Sequence, residues 1–253
     1  MSLSDLHFQK TKGLFITGTD TGVGKTLITG GIAKILKQYN LKVGVLKPIA
    51  TGCREERGGL VSTDAEFLAM CAETNFPLSV ITPVCYKIPA APVVCIRAEK
   101  RPIDYEQIAA MYNYLAGLCD VVLVEGIGGV LVPLDEEHTI LDLAVQIGLP
   151  AVIVARPNLG TINHSLLTID AIRRANLPLA GVVISGYNTA TAELAEETAP
   201  DIIAQFGKTD ILAVVGYDEE SSVEQLRIGP MTLAGLDEYQ WYSRIMGQGF
   251  HRG

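Results

Sequence analysis

Short apolar runs rich in β-branched residues recur along the chain at Gly13–Thr17, Lys42–Lys47, Val121–Glu125, Ala151–Ala155, Leu179–Ser185 and Ile211–Val215, none with strict apolar–polar alternation. A strand apolar at successive positions is covered on both faces, so these runs predict inner strands. Between most of them lie segments of helical period: Lys25–Tyr39, Asp64–Ala72, Tyr105–Leu118, Thr139–Ile147, Asn163–Ala175 and Thr191–Phe206. Strand and helix alternating in this way predict an α/β fold, a doubly wound and mainly parallel sheet with helices on both faces. The ligand site of such a sheet lies at the carboxyl ends of its strands. Thr51–Thr63 is rich in Gly, Arg and Glu without an apolar period, and Asn75–Pro102 holds Pro77, Pro83, Pro89, Pro92 and Pro102, so both read as long loops. After Gly216 the pattern weakens, and only Met231–Ile245 suggests another helix. No repeat, low-complexity tract or Ser/Gly-rich linker divides the chain. Residues 1–253 therefore read as one domain, with an N-terminal extension over about 1–12 and a C-terminal segment over about 217–253.

With 253 residues, 48% of them hydrophobic and 19% charged, the chain can bury a sizeable core. Twenty basic against 28 acidic residues give a net charge of −8, and no stretch concentrates Lys and Arg, which argues against nucleic acid as a partner. Cys53, Cys71, Cys85, Cys95 and Cys119 include no CxxC pair and are odd in number, so they fit neither a disulfide framework nor a zinc site. They read as reduced, mostly buried thiols. The polar start MSLSDLHFQK lacks the apolar run of a secretory signal, and no run is long enough to span a bilayer. The expectation is a soluble cytoplasmic protein without a membrane partner.

The sharpest local signal is an apolar strand running into Gly18-Thr19-Asp20-Thr21-Gly22-Val23-Gly24-Lys25-Thr26 and then directly into a helix. This is the layout of a phosphate-binding P-loop. Glycines let backbone N–H groups turn inward around phosphates, the helix offers its positive end, Lys25 reaches the β/γ oxygens and the Thr26 hydroxyl serves Mg²⁺. Five residues separate Gly18 from Gly24, where the usual motif has four. Thr21, Gly22, Val23, Gly24, Lys25, Thr26 and Leu27 are the candidate nucleotide contacts, and the fold expectation narrows to the P-loop NTPase type. The competing reading, a glycine-rich turn that binds nothing, conflicts with strand, Gly-Lys-Thr and helix standing in the required order.

A Mg²⁺ ion on phosphates takes one or two carboxylates beyond the loop hydroxyl. Glu125 closes the strand Val121–Val124 and opens Gly126-Ile127-Gly128-Gly129, which places a carboxylate at the sheet's carboxyl edge. Its alternative is a cap or loop acid. Asp64, in Ser62-Thr63-Asp64-Ala65-Glu66, reads equally as a helix cap, and the sequence leaves both uses open. Lys47 ends the second strand before Pro48; it can face the ligand crevice and stabilise a transferring phosphoryl group, or it can snorkel to solvent. Cys71, Cys119 and the His7, His138, His164 and His251 set show no nucleophile–base spacing, and Arg54-Glu55-Glu56-Arg57 reads as a solvated loop.

Several of these segments occur together in one known family. The five-spaced phosphate loop, Lys47-Pro48-Ile49 with Thr51-Gly52, Ser62-Thr63-Asp64-Ala65, Val124-Glu125-Gly126-Ile127-Gly128-Gly129, Leu159–Ser165 and Leu179–Ile184 stand in the order found in the dethiobiotin synthetases. The resemblance runs from about Gly13 to Val215. It implies ATP-dependent carboxylation of 7,8-diaminopelargonic acid with CO₂ or bicarbonate, by way of a carbamate and a carbamic–phosphoric anhydride, to close the ureido ring in biotin synthesis. By motif match, Lys25 and Lys47 are catalytic, while Thr26, Asp64 and Glu125 hold Mg²⁺. Glu125, Gly126, Ile127, Gly128, Ser185 and Gly186 join the nucleotide site. Thr51, Gly128, Gly129, Thr161, Ile162 and Asn163 contact the substrate. The helix that Asn158–Asn163 opens receives, in this family, the substrate carboxylate of the neighbouring subunit, which implies a homodimer.

The chain departs from the family at Gly22, where an acid is frequent, at Ser185, where an Asn reads the base, and at Gly216, where a Pro is usual. Its Pro89-Ala90-Ala91-Pro92-Val93 loop also lacks the usual Ser and His. The alternative function is a P-loop ATPase switch of the partitioning or positioning type, without a small-molecule substrate. Against it, Thr19 and Asp20 stand where such switches carry a second lysine, and Gln240–Gly253 is not a basic amphipathic helix. An amidotransferase half needs a glutaminase domain for which 253 residues leave no room.

Overall fold

The computed structural model describes residues 3–248. Its strands are β1 Gly13–Gly18, β2 Val43–Leu46, β3 Ile49–Ala50, β4 Arg54–Glu56, β5 Gly59–Val61, β6 Val84–Cys85, β7 Val121–Gly129, β8 Ala151–Ala155, β9 Leu179–Tyr187 and β10 Ile211–Gly216. The helices are α1 Lys25–Lys37, α2 Thr63–Cys71, α3 Leu78–Ile81, α4 Pro92–Glu99, α5 Tyr105–Leu118, α6 Ile140–Ile147, α7 Thr161–Arg174, α8 Leu194–Gly207, α9 Pro230–Asp237 and α10 Trp241–Ser243. Six strands form one sheet in the order β10-β9-β8-β1-β7-β2, and every pairing in it is parallel.

Successive side chains of a strand point to opposite faces, and here both faces are buried. Phe15, Val122, Val124 and Ile153 enter one core with Ile108 and Tyr112 of α5, Leu143 of α6 and Ile169 of α7. Ile16, Leu123 and Val154 enter the other with Ile28 and Ile32 of α1, Phe67 of α2 and Leu236 of α9. Each fully buried side chain of this size contributes about 1.5–3 kcal/mol, so the inner strands are where the fold is least deformable. The loops at the sheet's carboxyl edge thus hang from a rigid frame.

That edge is shaped by a slip in register. Ile16 of β1 pairs with Glu125 of β7, whereas Gly18 pairs with Gly129, so β7 bulges out over residues 126–128 beside the phosphate loop. Gly128 takes φ +60° within the bulge, a conformation that disfavours any other residue.

Three expectations are corrected by the structure. Thr51–Thr63 contains the antiparallel hairpin β4–β5, held from outside by Arg54 on Glu56 and Glu66; strands this short and exposed carry no apolar period to betray them. Asn75–Pro102 contains α3, β6 and α4, and Pro92 is at the start of α4, where a fixed φ and a missing N–H are tolerated. Met231–Ile245 is not one helix: α9 ends at Asp237, and α10 begins at the fully buried Trp241, whose indole donates to Leu236 O at 2.8 Å. His251, with the rest of 249–253, lies outside the described residues. Among the described residues no helix is long and apolar enough to cross a membrane.

Candidate active site

The phosphate loop joins β1 to α1. Gly22 and Gly24 lie in the left-handed region at φ +72° and +93°, and a Cβ on Gly24 would fall 2.6 Å from Ser185 Oγ. No side chain caps α1, so the N–H groups of its first turn are offered to an anion. The Lys25 ammonium donates to Asp20 O at 2.8 Å. Burial, followed by the neighbouring Lys47 charge, lowers its pKa from 10.5 to about 8 against the pull of Glu125, Asp64 and Asp20.

Beneath the loop, Lys47 Nζ lies 2.6 Å from Glu125 Oε1 and 2.9 Å from Asp64 Oδ2, and donates to Gly126 O at 3.3 Å. The Thr26 hydroxyl donates to the same Glu125 Oε1 at 2.8 Å. Burial works against the charge on Lys47, but the two carboxylates outweigh it and hold the pKa above the usual lysine range. Burial likewise works against the Asp64 charge, and Lys47 outweighs it, so Asp64 is held below the ordinary carboxylate range. Asp64 is free for this role because Ser62 caps α2, accepting from Ala65 N at 3.4 Å.

The donor set suits a hard divalent cation. Glu125 is fully buried, and its Oε2 has no hydrogen-bond partner among the described residues. Asp64, with a side chain 36% exposed, brings a second carboxylate to the lip. With the Thr26 hydroxyl these are oxygen ligands of the kind Mg²⁺ takes alongside water and phosphate. Among the described residues no group of three or more His, Cys, Asp or Glu is placed to hold a metal ion.

A cavity of about 410 Å³ brings together Thr21, Gly22, Gly24, Lys25, Thr26, Leu27, Lys47, Thr51, Asp64, Glu125, Ile127 and Gly128. The other expected residues lie elsewhere. Val23 is buried under the loop, Gly126 is buried within β7, and Ser185 is buried against Gly24, while Gly186 is exposed. Gly129 lines a second cavity of about 400 Å³. Thr161, Ile162 and Asn163 form the first turn of α7 outside the first cavity, whereas His164 and Thr168 of the next turn line the second. Val223 and Glu224 also wall the first cavity, and no motif or period marks them in the sequence. Arg156 was also missed; it follows β8 at the sheet's carboxyl edge and donates to Asp20 Oδ2 at 3.0 Å. The strand-end position that singled out Lys47 would have found it.

The lowered pKa of Lys25 has a direct consequence. The folded chain holds this proton less tightly than an unfolded one, so the lysine's contribution to stability rises with pH between about 8 and 10.5. Triphosphate binding wants the charged form. Without Mg²⁺, ATP affinity is expected to weaken about 10-fold per pH unit above about 8, and Lys25→Arg should flatten the slope in calorimetric titrations. A flat profile in the unaltered chain would contradict the assignment.

A family model described as an AAA domain matches residues 12–225. A protein named ATP-dependent dethiobiotin synthetase BioD from Thermodesulfovibrio yellowstonii is 37% identical over 232 residues, covering 89% of this chain and 96% of that protein. Proteins of the same name from Bacillus licheniformis and Methanocaldococcus jannaschii are 39% and 36% identical, covering 85% and 83% of this chain and 90% and 97% of theirs. Among solved structures, the MinC:MinD cell division protein complex of Aquifex aeolicus matches with a TM-score of 0.57 at 14% identity, over 95% of this chain and 98% of that one. A putative plasmid partition protein of Borrelia burgdorferi bound to AMPPNP matches with a TM-score of 0.56 at 13% identity, over 90% of this chain and 96% of that one. At such identity these structures share the doubly wound P-loop fold alone.

Proposed function

The chain belongs to the ATP-dependent dethiobiotin synthetases, and on that premise we propose that it carboxylates 7,8-diaminopelargonic acid with CO₂ and closes the ureido ring, using ATP with Mg²⁺ and working as a homodimer. The observation that carries the reading is the buried Lys47–Glu125 pair, with Asp64 at its lip, lining one cavity together with Lys25. The Lys47 and Lys25 ammonium groups line the space where a phosphoryl group would pass, and the two carboxylates that hold Lys47 are the candidate metal ligands.

A carbamate formed on one amine carries an oxygen nucleophile. That oxygen takes the γ-phosphoryl group, its bond to phosphorus forming as the bond to ADP breaks. The second amine then attacks the carbamoyl carbon, phosphate leaves with its electron pair, and the amine proton passes to phosphate or solvent. Lys25 and Lys47 neutralise charge on the moving phosphoryl oxygens, and the loop N–H groups fix the triphosphate. Thr26, Asp64 and Glu125 would hold Mg²⁺, which when bound supplies further charge neutralisation at the phosphates. The protein's part is positioning rather than covalent catalysis. A cytoplasmic setting, where thiols stay reduced, suits its five free cysteines.

The test is to follow ADP with and without the other substrates. ADP release should stay near baseline until diamine and bicarbonate are both present, then match dethiobiotin one for one. Steady hydrolysis indifferent to both would support a nucleotide switch instead.

The dimer reading has its own support. Gly160, the N-cap of α7 at φ +97°, provides no side-chain cap, and the buried Thr161 hydroxyl has no partner among the described residues; although Thr161 N already donates to Asn158 O at 3.0 Å, the uncapped first turn suits a carboxylate. If that carboxylate comes from the neighbouring subunit's site, mixing an Asn163→Ala chain with a Lys25→Ala chain should restore part of the activity through heterodimers. No restoration despite proven subunit exchange would place each site within one chain.

A further inference from the structure

Arg156 leaves the carboxyl end of β8 and reaches over the phosphate loop. Its Nη2 donates to Asp20 Oδ2 at 3.0 Å and to Thr21 O at 3.1 Å. Asp20, Thr21 and the preceding Thr19 are tied from other directions. Thr21 N donates to Asp20 Oδ1 at 2.7 Å, Lys25 Nζ to Asp20 O at 2.8 Å, and Thr19 N to Val154 O of β8 at 3.0 Å. These ties fall in the part of the chain where the loop has one residue more than the usual motif, and a longer loop has more conformations to lose. A charged donor fixed to an inner strand restricts them from outside.

Thr21 is the residue most affected. It lines both the cavity with Lys25 and Lys47 and the neighbouring cavity, whose wall includes Val130, Val132 and Leu167. A Cβ on Gly128 would lie 3.4 Å from Thr21 Oγ1, so Thr21 also abuts the bulge that follows Glu125. It stands at the seam between the two spaces, held there partly by a half-exposed arginine that is not among the residues lining the cavity with Lys25 and Lys47.

We propose that Arg156 is a positioning residue that, through Asp20 and Thr21, keeps the wall between the two cavities in place, so that the γ-phosphoryl group passes to the carbamate and not to water. This rests on the ring-closure reading. With the wall loosened, water takes the phosphoryl group, giving ADP and phosphate without product.

Arg156→Ala in the full chain should lower dethiobiotin turnover about 10-fold, leave KM for ATP within about 3-fold, and raise ADP released per dethiobiotin from one to above about two. Arg156→Lys, which keeps one charged donor, should recover most of the coupling. In the nucleotide-free protein, amide exchange at Thr21 should speed up about 10-fold in the Ala variant. An ADP-to-product ratio that stays at one overturns the proposal, as does unchanged exchange at Thr21. Failure of the unaltered chain to make dethiobiotin would bring down the ring-closure reading and the coupling role with it, while the exchange arm would still judge the clamp.

Discussion

Lys47→Ala is expected to lower turnover about 10²–10³-fold, the loss typical of removing one preorganised charge donor from a transition state. Lys47 has two tasks. Its ammonium faces the cavity that holds Lys25, and it pairs with both Glu125, which is fully buried, and Asp64. Removing one partner of a buried ion pair costs about 3–5 kcal/mol because the other charge is stranded, so the variant should also melt at lower temperature. The two effects separate when kcat is referred to folded protein at a temperature where both chains are native. ATP affinity should change little, since the loop N–H groups and Lys25 remain. Full kcat in folded Lys47→Ala would remove the lysine from the reaction.

Glu125→Gln is expected to raise the Mg²⁺ concentration for half-maximal turnover at least about 10-fold, and Asp64→Asn less. Glu125 is the buried member, with one oxygen engaged by Lys47 and Thr26 and the other without a partner, whereas Asp64 is partly solvated. An amide keeps the shape and loses the charge, so the change reads out electrostatics rather than packing. Magnesium titrations of turnover, with direct metal binding in the presence of ADP, check it. An unchanged Mg²⁺ requirement in both variants would mean that neither carboxylate holds the ion.

The inner strands were legible because burial on both faces forces apolar residues at successive positions, and β8 and α5 have the expected bounds, Ala151–Ala155 and Tyr105–Leu118. Lys47 could be found because it follows the end of β2, where a side chain emerges at the sheet's edge. Glu125 was found although it does not end its strand: β7 continues through it to Gly129, and the glycines after it form the bulge that passes the phosphate loop. Asp64 was ambiguous in sequence, since Ser62 and Asp64 are both good caps, and only the hydrogen bond to Ser62 Oγ separates them. The β4–β5 hairpin and α4 were hidden for different reasons. The hairpin is exposed and too short to show a period, and the prolines of Asn75–Pro102 read as loop although Pro92 starts a helix. Val223 and Glu224 reach the cavity by tertiary packing alone, for which no local pattern exists.

The central claim is that a carbamate oxygen receives the γ-phosphoryl group. It is tested most directly by supplying ¹⁸O-labelled bicarbonate with diamine and MgATP and examining the phosphate from the first turnovers, before the label exchanges with water. The account predicts that phosphate released in step with dethiobiotin carries one oxygen from bicarbonate, because the bond broken in ring closure is the carbamoyl carbon–oxygen bond. Unlabelled phosphate, formed at the same rate as dethiobiotin, would contradict it.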